Sequence, residues 1–439
     1  MEWKHLLHPM RAGKSQREVL SRVRTPFHKD HDRVVFSSSF RRLDRKTQVH
    51  PPMVNDNVHT RLAHSLEVGC IGRSLGMAVG ERISDELPDW TTPADLGVIV
   101  QSACLAHDIG NPPFGHAGEF IIRDWYRTGR GREFIQRASG ELTSDQHRDL
   151  ENFEGNAQGF RILTQLEYRP FRGGMRLTYP TLGAFLKYPW SARLAGERNG
   201  KFGCYQSEMP ILSEVAASLG LERIGDHEWA RHPLVYLMEA ADDICYAIID
   251  IEDGVEMGIL RFEEAEAILT EFLGETPDYS AEIHNSETFK LSMLRARAMS
   301  RLVDAVVEAF VEHRASLLEG SFRGSLIECC DPRFIRGIDL AKETARTRIF
   351  KSPDKTDIEI GADSILSTIL ERLHESFFEL KNGRELSFRN RKLLDMMGSH
   401  APTQDHGYYE GIRKILDYLG GMTDQYTVTV FRRLTGLLS

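Results

Sequence analysis

The sequence predicts an all-α protein on three observations. Apolar residues recur at helical spacing from about residue 60 to the end, alternating strand patterns are few and short, and no Gly/Ser-rich or Pro-rich linker divides the chain. Any sheet is expected to be minor and peripheral. With 439 residues, 41% hydrophobic and 27% charged, the chain can bury a large core, which excludes collagen-like, coiled-coil-only and wholly disordered readings. Asp and Glu number 64 against 55 Lys and Arg, so the net charge of −9 argues against nonspecific coating of nucleic acid as the main job. The cysteines Cys70, Cys104, Cys204, Cys245, Cys329 and Cys330 form no CxxC pair, so reduced thiols and a cytoplasmic location are expected rather than a zinc finger or disulfide framework. Lys4, His5 and His8 interrupt the N-terminus and no run of about 18 apolar residues occurs, so neither an export signal nor a membrane span is expected.

A helix is predicted over roughly residues 61–83. It carries Gly69, Gly72, Gly76 and Gly80, each costing up to about 1 kcal/mol against alanine, and close packing on a neighbour is the expected compensation. The next helix runs over 92–108: Thr92 caps, Pro93 suits the first helical position and Asp95 favours the N-terminal dipole. Leu96, Val98, Ile99, Val100, Ala103, Cys104 and Leu105 make it apolar on nearly every side, hence buried. It must stop near His107-Asp108, because Gly110 and Pro112-Pro113 cannot continue it. The polar, glycine-containing stretch 127–149 is expected to be an exposed insertion, and the aromatic, Gly/Pro-rich stretch 171–204 a pocket wall. Amphipathic helices without a detectable repeat fill 260–439.

Three separated places supply hard metal ligands: His64, the pair His107-Asp108, and the pair Asp242-Asp243. A lone histidine is more often a satisfied core or surface residue. What favours a metal is position, since a carboxylate at the breaking end of a buried helix is badly desolvated unless it meets a cation. Imidazoles and carboxylates together suit Mn, Mg, Fe or Ni better than structural zinc, and leave positions open for water and a phosphate oxygen. On the helix that follows, Glu239, Asp242, Tyr246, Asp250 and Asp253 fall within about 80° of arc at 100° per residue. The plain alternative is a solvated acidic face. Periodicity does not choose between Asp242 and Asp243.

In order, TRLAHS, AHDIGNPPFGHAGE, FEGNAQGFRIL and LMEAADDICYAIID resemble the deoxynucleoside triphosphate triphosphohydrolases of the HD-domain superfamily, the bacterial dGTPase-like enzymes. The resemblance begins at RVVFSSSFRRLDRKTQV, runs through LKYPW at 186–190 and closes with GMTDQY at 421–426. It implies an HD-domain helical core over 60–260, an N-terminal segment 1–59 packed on it, and a C-terminal helical region over 261–439. It also implies that His64, His107, Asp108 and Asp242 bind a divalent metal, Mg, Mn or a similar transition metal, and that His116 is catalytic. Glu119, at i+3 from His116, could orient the imidazole and raise its basicity.

By the same resemblance Arg61 meets a phosphate, Lys187 and Tyr188 contact the triphosphate and sugar, Asn111 approaches the α-phosphate, and Gln48 and Asp250 hold the deoxyribose end. Tyr246, one turn from Asp242 and one from Asp250, is expected to pack against the sugar. The implied reaction converts a dNTP, dGTP being the favoured guess, and water to a deoxynucleoside and inorganic triphosphate. Alternatives are another HD phosphohydrolase acting on a nucleoside monophosphate, cyclic dinucleotide or alarmone, and a non-catalytic regulator binding dNTP or nucleic acid. Relatives are often homo-oligomers, commonly hexamers, so subunit contacts and an activating dNTP or single-stranded nucleic acid are expected partners.

Overall fold

A computed structural model describes residues 1–14, 24–47, 60–168, 173–275, 279, 286–350, 353–383 and 385–437. Among them the architecture is all-α, with one small antiparallel hairpin, Arg223–Gly225 against Glu228–Trp229, at the periphery. No helix of the described residues is long and apolar enough to cross a membrane.

The two helices predicted first form the centre. Thr60 caps Arg61–Arg82 by accepting from the Ala63 amide, and a Thr92/Asp95 capping box starts Pro93–Ala106. They pack backbone to backbone: a Cβ on Gly76 would lie 2.7 Å from the Leu96 carbonyl oxygen, and one on Gly72 2.4 Å from Cys104 Sγ. The glycine stripe is thus compensated by approach, as expected. Leu96, Ile99, Val100, Ala103, Cys104 and Leu105 are all buried, and the helix ends at His107. Val235–Glu256 packs across this pair and brings Asp242 to the same end.

Residues 262–350 join this first core through Phe262–Leu273, Glu287–Glu312 and Pro332–Thr344. Residues 353–437 do something else. Pro353–Lys381, Phe388–Met397, Tyr408–Gly420 and Asp424–Thr435 build a second core against Gly115–Arg127 and Arg130–Ala138, with Trp125, Tyr126, Phe134, Phe377 and Leu416 inside. The helices of the C-terminal region thus contribute to both cores. The stretch 127–149 also departs from expectation: it holds the helices Arg130–Ala138 and Ser144–Glu151, and buries Phe134, Ile135 and Ala138 instead of standing in solvent. Arg161, on the short helix Gly155–Arg161, ties the cores with a two-bond pair to buried Asp417, at 2.7 and 2.8 Å.

The glycine stripe gives a test. Gly76→Val should destabilise by about 1–3 kcal/mol, because its Cβ meets main chain that cannot step aside. Gly361→Ala, in Pro353–Lys381 with nothing within 4 Å of the new methyl, should stabilise by about 0.4–1 kcal/mol. Urea denaturation followed by circular dichroism checks both signs.

Candidate active site

The breaking end of Pro93–Ala106 turns His107 and Asp108 toward His64, one turn into its own helix, and Asp242, two turns into Val235–Glu256. His64 Nε2 lies 3.1 Å from Asp242 Oδ1. His107 Nε2 lies 3.6 Å from Asp242 Oδ1 and 3.6 Å from Asp108 Oδ1. One ligand atom each from His64, His107 and Asp242 falls within 4.8 Å of the others, and the two rings meet edge to face at 5.3 Å. His107 Nδ1 donates to the Cys104 carbonyl oxygen at 2.6 Å, so Nε2 is the atom turned toward the two carboxylates. Imidazole nitrogens and carboxylate oxygens converging in this way need a proton or a cation between them, so the donor set fits a divalent metal.

Asp108 is engaged on both oxygens: Arg61 Nη1 donates at 2.5 Å to Oδ2, and Asn111 Nδ2 at 2.5 Å to Oδ1. Arg61 reaches it past Gly115, where φ is +58° and a Cβ would stand 2.3 Å from Arg61 Nη2. Burial opposes the charge on both Asp108 and Asp242. Arg61 and then His107 outweigh it at Asp108, and His107 and His64 at Asp242, so both carboxyls lie far below the usual range. Burial also opposes a charged His64, yet its hydrogen bond to Asp242 raises its pKa. The proton shared there is the one a cation would displace. Asp243 points elsewhere, accepting from Lys342 Nζ at 2.7 Å.

The acidic stripe faces inward. Asp250 and Asp253 are buried, and Glu239 takes Arg231 at 2.6 Å and Lys187 at 3.3 Å. Glu239 outweighs burial to keep Lys187 firmly an ammonium. The segment expected to be irregular holds a buried helix, Tyr179–Phe185, and just past it Lys187 reaches Glu239 on the Asp242 helix while Tyr188 leans on Trp190 at 5.4 Å. Tyr246 is half-buried against Phe350, ring centres 5.8 Å apart, and burial followed by the Asp250 charge raises its pKa. Gln48 lies outside the described residues.

His116 opens the helix Gly115–Arg127 and is 80% exposed, with Nδ1 3.5 Å from Glu119 Oε2. Glu119 is 2% exposed; it accepts from the Gly155 amide at 2.7 Å and lies 3.2 Å from Arg123 Nη2 and 3.9 Å from Lys201 Nζ. Burial disfavours its charge, but His116 and Lys201 outweigh that and lower its pKa. Glu154, fully buried, accepts from Lys201 Nζ at 2.9 Å; burial and then the Glu119 charge push its pKa up. Sequence reasoning missed Glu154 and Lys201 as neighbours of the His116 pair. Glu154 sat in the FEGNAQ segment as a signal, whereas Lys201 gave none.

Residues 61–157 match the family model described as HD domain, a span that includes His64, His107, Asp108, His116 and Glu119. A Pseudomonas aeruginosa protein named deoxyguanosinetriphosphate triphosphohydrolase-like is 49% identical over 99% of both chains. One of the same name from Synechocystis is 40% identical over the full length of both. A Cronobacter sakazakii protein named deoxyguanosinetriphosphate triphosphohydrolase is 30% identical over 99% of this chain and 97% of its own.

Asp242→Ala is the cleaner probe of metal binding, because this side chain is 32% exposed and His64, its partner, can lose its proton, whereas loss of Asp108 would strand the permanently charged Arg61. Elemental analysis should find the bound divalent metal gone from Asp242→Ala while far-UV circular dichroism stays as in the parent. Stoichiometric metal in that variant contradicts the assignment.

Proposed function

Because the chain belongs to the deoxyguanosinetriphosphate triphosphohydrolase-like family of HD-domain proteins, we propose that it hydrolyses a deoxynucleoside triphosphate, dGTP being the first candidate, to a deoxynucleoside and inorganic triphosphate. The observation that carries this reading is the pairing of a partly buried His/Asp cluster with flanking cations and one exposed histidine held by a buried carboxylate. His64, His107, Asp108 and Asp242 would hold the divalent cation, which when bound polarises an α-phosphate oxygen and lowers the pKa of a water.

This chain's own groups do the rest. Arg61, fixed by Asp108, and Lys187, kept charged by Glu239, neutralise the polyphosphate. Asn111 sits in the same loop with its amide toward Asp108, and from there would approach the α-phosphate. Tyr188 borders the triphosphate and sugar, and Asp250 the far end of the sugar. Water adds at the α-phosphorus as the bond to O5′ breaks. His116, oriented by Glu119, moves the proton to the departing oxygen.

Phosphorus NMR at early times should show intact triphosphate beside a deoxynucleoside; nucleoside monophosphate plus pyrophosphate would place the cut elsewhere. His116→Ala should keep metal and substrate binding and lose roughly 100-fold to 10,000-fold in kcat. A near-parental kcat removes His116 from the reaction.

Tyr246 supplies the sugar test. Its ring is backed by Phe350 and stands one turn from Asp242, so a substrate whose α-phosphate meets a cation at Asp242 would lay its sugar near it. A 2′-hydroxyl buried there unpaired costs on the order of 1–3 kcal/mol. In Tyr246→Ala the ratio of kcat/KM for dGTP over GTP should fall by at least about tenfold, through a relative gain in GTP. If both rates drop together at a constant ratio, Tyr246 is a packing residue.

A further inference from the structure

The GMTDQY segment has no part in the chemistry above, yet it meets the loop that carries it. The Gly420 carbonyl oxygen accepts from Lys46 Nζ at 2.8 Å, and the same ammonium donates to the Asn111 carbonyl oxygen at 2.5 Å. Four residues after Gly420, one oxygen of Asp424 accepts from Thr47 N at 2.8 Å and Thr47 Oγ1 at 2.5 Å. The other oxygen accepts from the Phe114 amide at 2.9 Å. Phe114 stands at the N-cap of the helix that bears His116 and Glu119, and its side chain makes no capping bond. Its φ is 63°, a left-handed conformation that a bulky residue keeps only when its surroundings fix it.

We propose that Asp424 is a positioning residue for His116: its carboxylate clasps the Phe114-Gly115 turn to Thr47 and so sets where the His116 helix begins. This rests on the reading of His116 given above. The clasp joins points 310 and 377 residues apart in the chain. Asp424 touches neither the His/Asp cluster nor Arg61 in any bond described for it, so it acts through the backbone of the loop. Lys46 is a second brace beside it, 2% exposed and pushed down to about 7 by burial, with the Arg42 charge adding to that and Asp424 opposing it. Lys46 is a poorer probe, because removing it strands two buried carbonyls.

The test uses the full chain and compares Asp424→Ala, Asp424→Asn and, as a control on the same turn, exposed Gln425→Ala. Hydrogen exchange should quicken by at least about tenfold in residues 112–118 of Asp424→Ala and stay parental in Gln425→Ala. Displacing a reacting group by about 1 Å can cost 100-fold, so kcat for the dNTP should fall roughly 10- to 100-fold while KM stays within about twofold. Metal content should remain parental. Asp424→Asn keeps one oxygen for the Phe114 amide and should recover part of both readouts. Parental exchange at 112–118 in Asp424→Ala overturns the clasp, whatever the substrate is. A freed loop with a parental kcat overturns the positioning role. A parent that hydrolyses no dNTP defeats the functional reading instead, and exchange alone then decides the clasp.

Discussion

A carboxylate at the end of an apolar helix is the constraint on which the rest of the site depends. Asp108 sits where Pro93–Ala106 stops, almost out of water, and such a charge is tolerated only against opposite charge or strong donors. The chain answers with Arg61, Asn111 and the two histidines, drawn from two segments, the start of Arg61–Arg82 and the loop after Pro93–Ala106. Gly115 leaves the space that Arg61 needs, and the loop between follows from satisfying one anion. The same concentration of lone pairs and protons makes the place suited to a divalent cation.

Much of this was legible in the sequence because it is local. The caps at Thr60 and Thr92, the glycine stripe and the forced stop at Gly110 are short-range rules, and they set helix ends correctly. Periodicity put Glu239, Asp242 and Tyr246 on one face, but it had no means to separate Asp242 from Asp243. That separation comes from Lys342, 99 residues away, which takes Asp243. Lys201 and Asp424 were opaque for the same reason: their partners are distant in sequence, and neither stands in a pattern that chemistry alone would flag. The error at 127–149 has another cause. Phe134, Ile135 and Ala138 do share one face of Arg130–Ala138, but Gly129, Gly131 and Gly140 and the dense charge around them read as loop.

The two carboxylates near His116 show how charge is apportioned. Glu119 and Glu154 are both buried and share Lys201, but Glu119 also has Arg123 and His116. Their pKa values are driven apart accordingly, Glu119 down and Glu154 up. The histidine ring stands in solvent above a partner fixed in the interior, so its orientation is set from below while its reactive edge stays accessible.

The helix Gly115–Arg127 belongs to the second core on one side and carries His116 on the other, whereas the His/Asp cluster is built on the first. His116 and the His/Asp cluster thus stand on two bodies of packed apolar residues, which unfold together only as far as ties such as Arg161 to Asp417 couple them. Where that tie yields first, warming parts the His116 helix from the His/Asp cluster while most helical signal persists. Heat inactivation then precedes heat denaturation, and the gap between the two curves measures how tightly the halves are coupled.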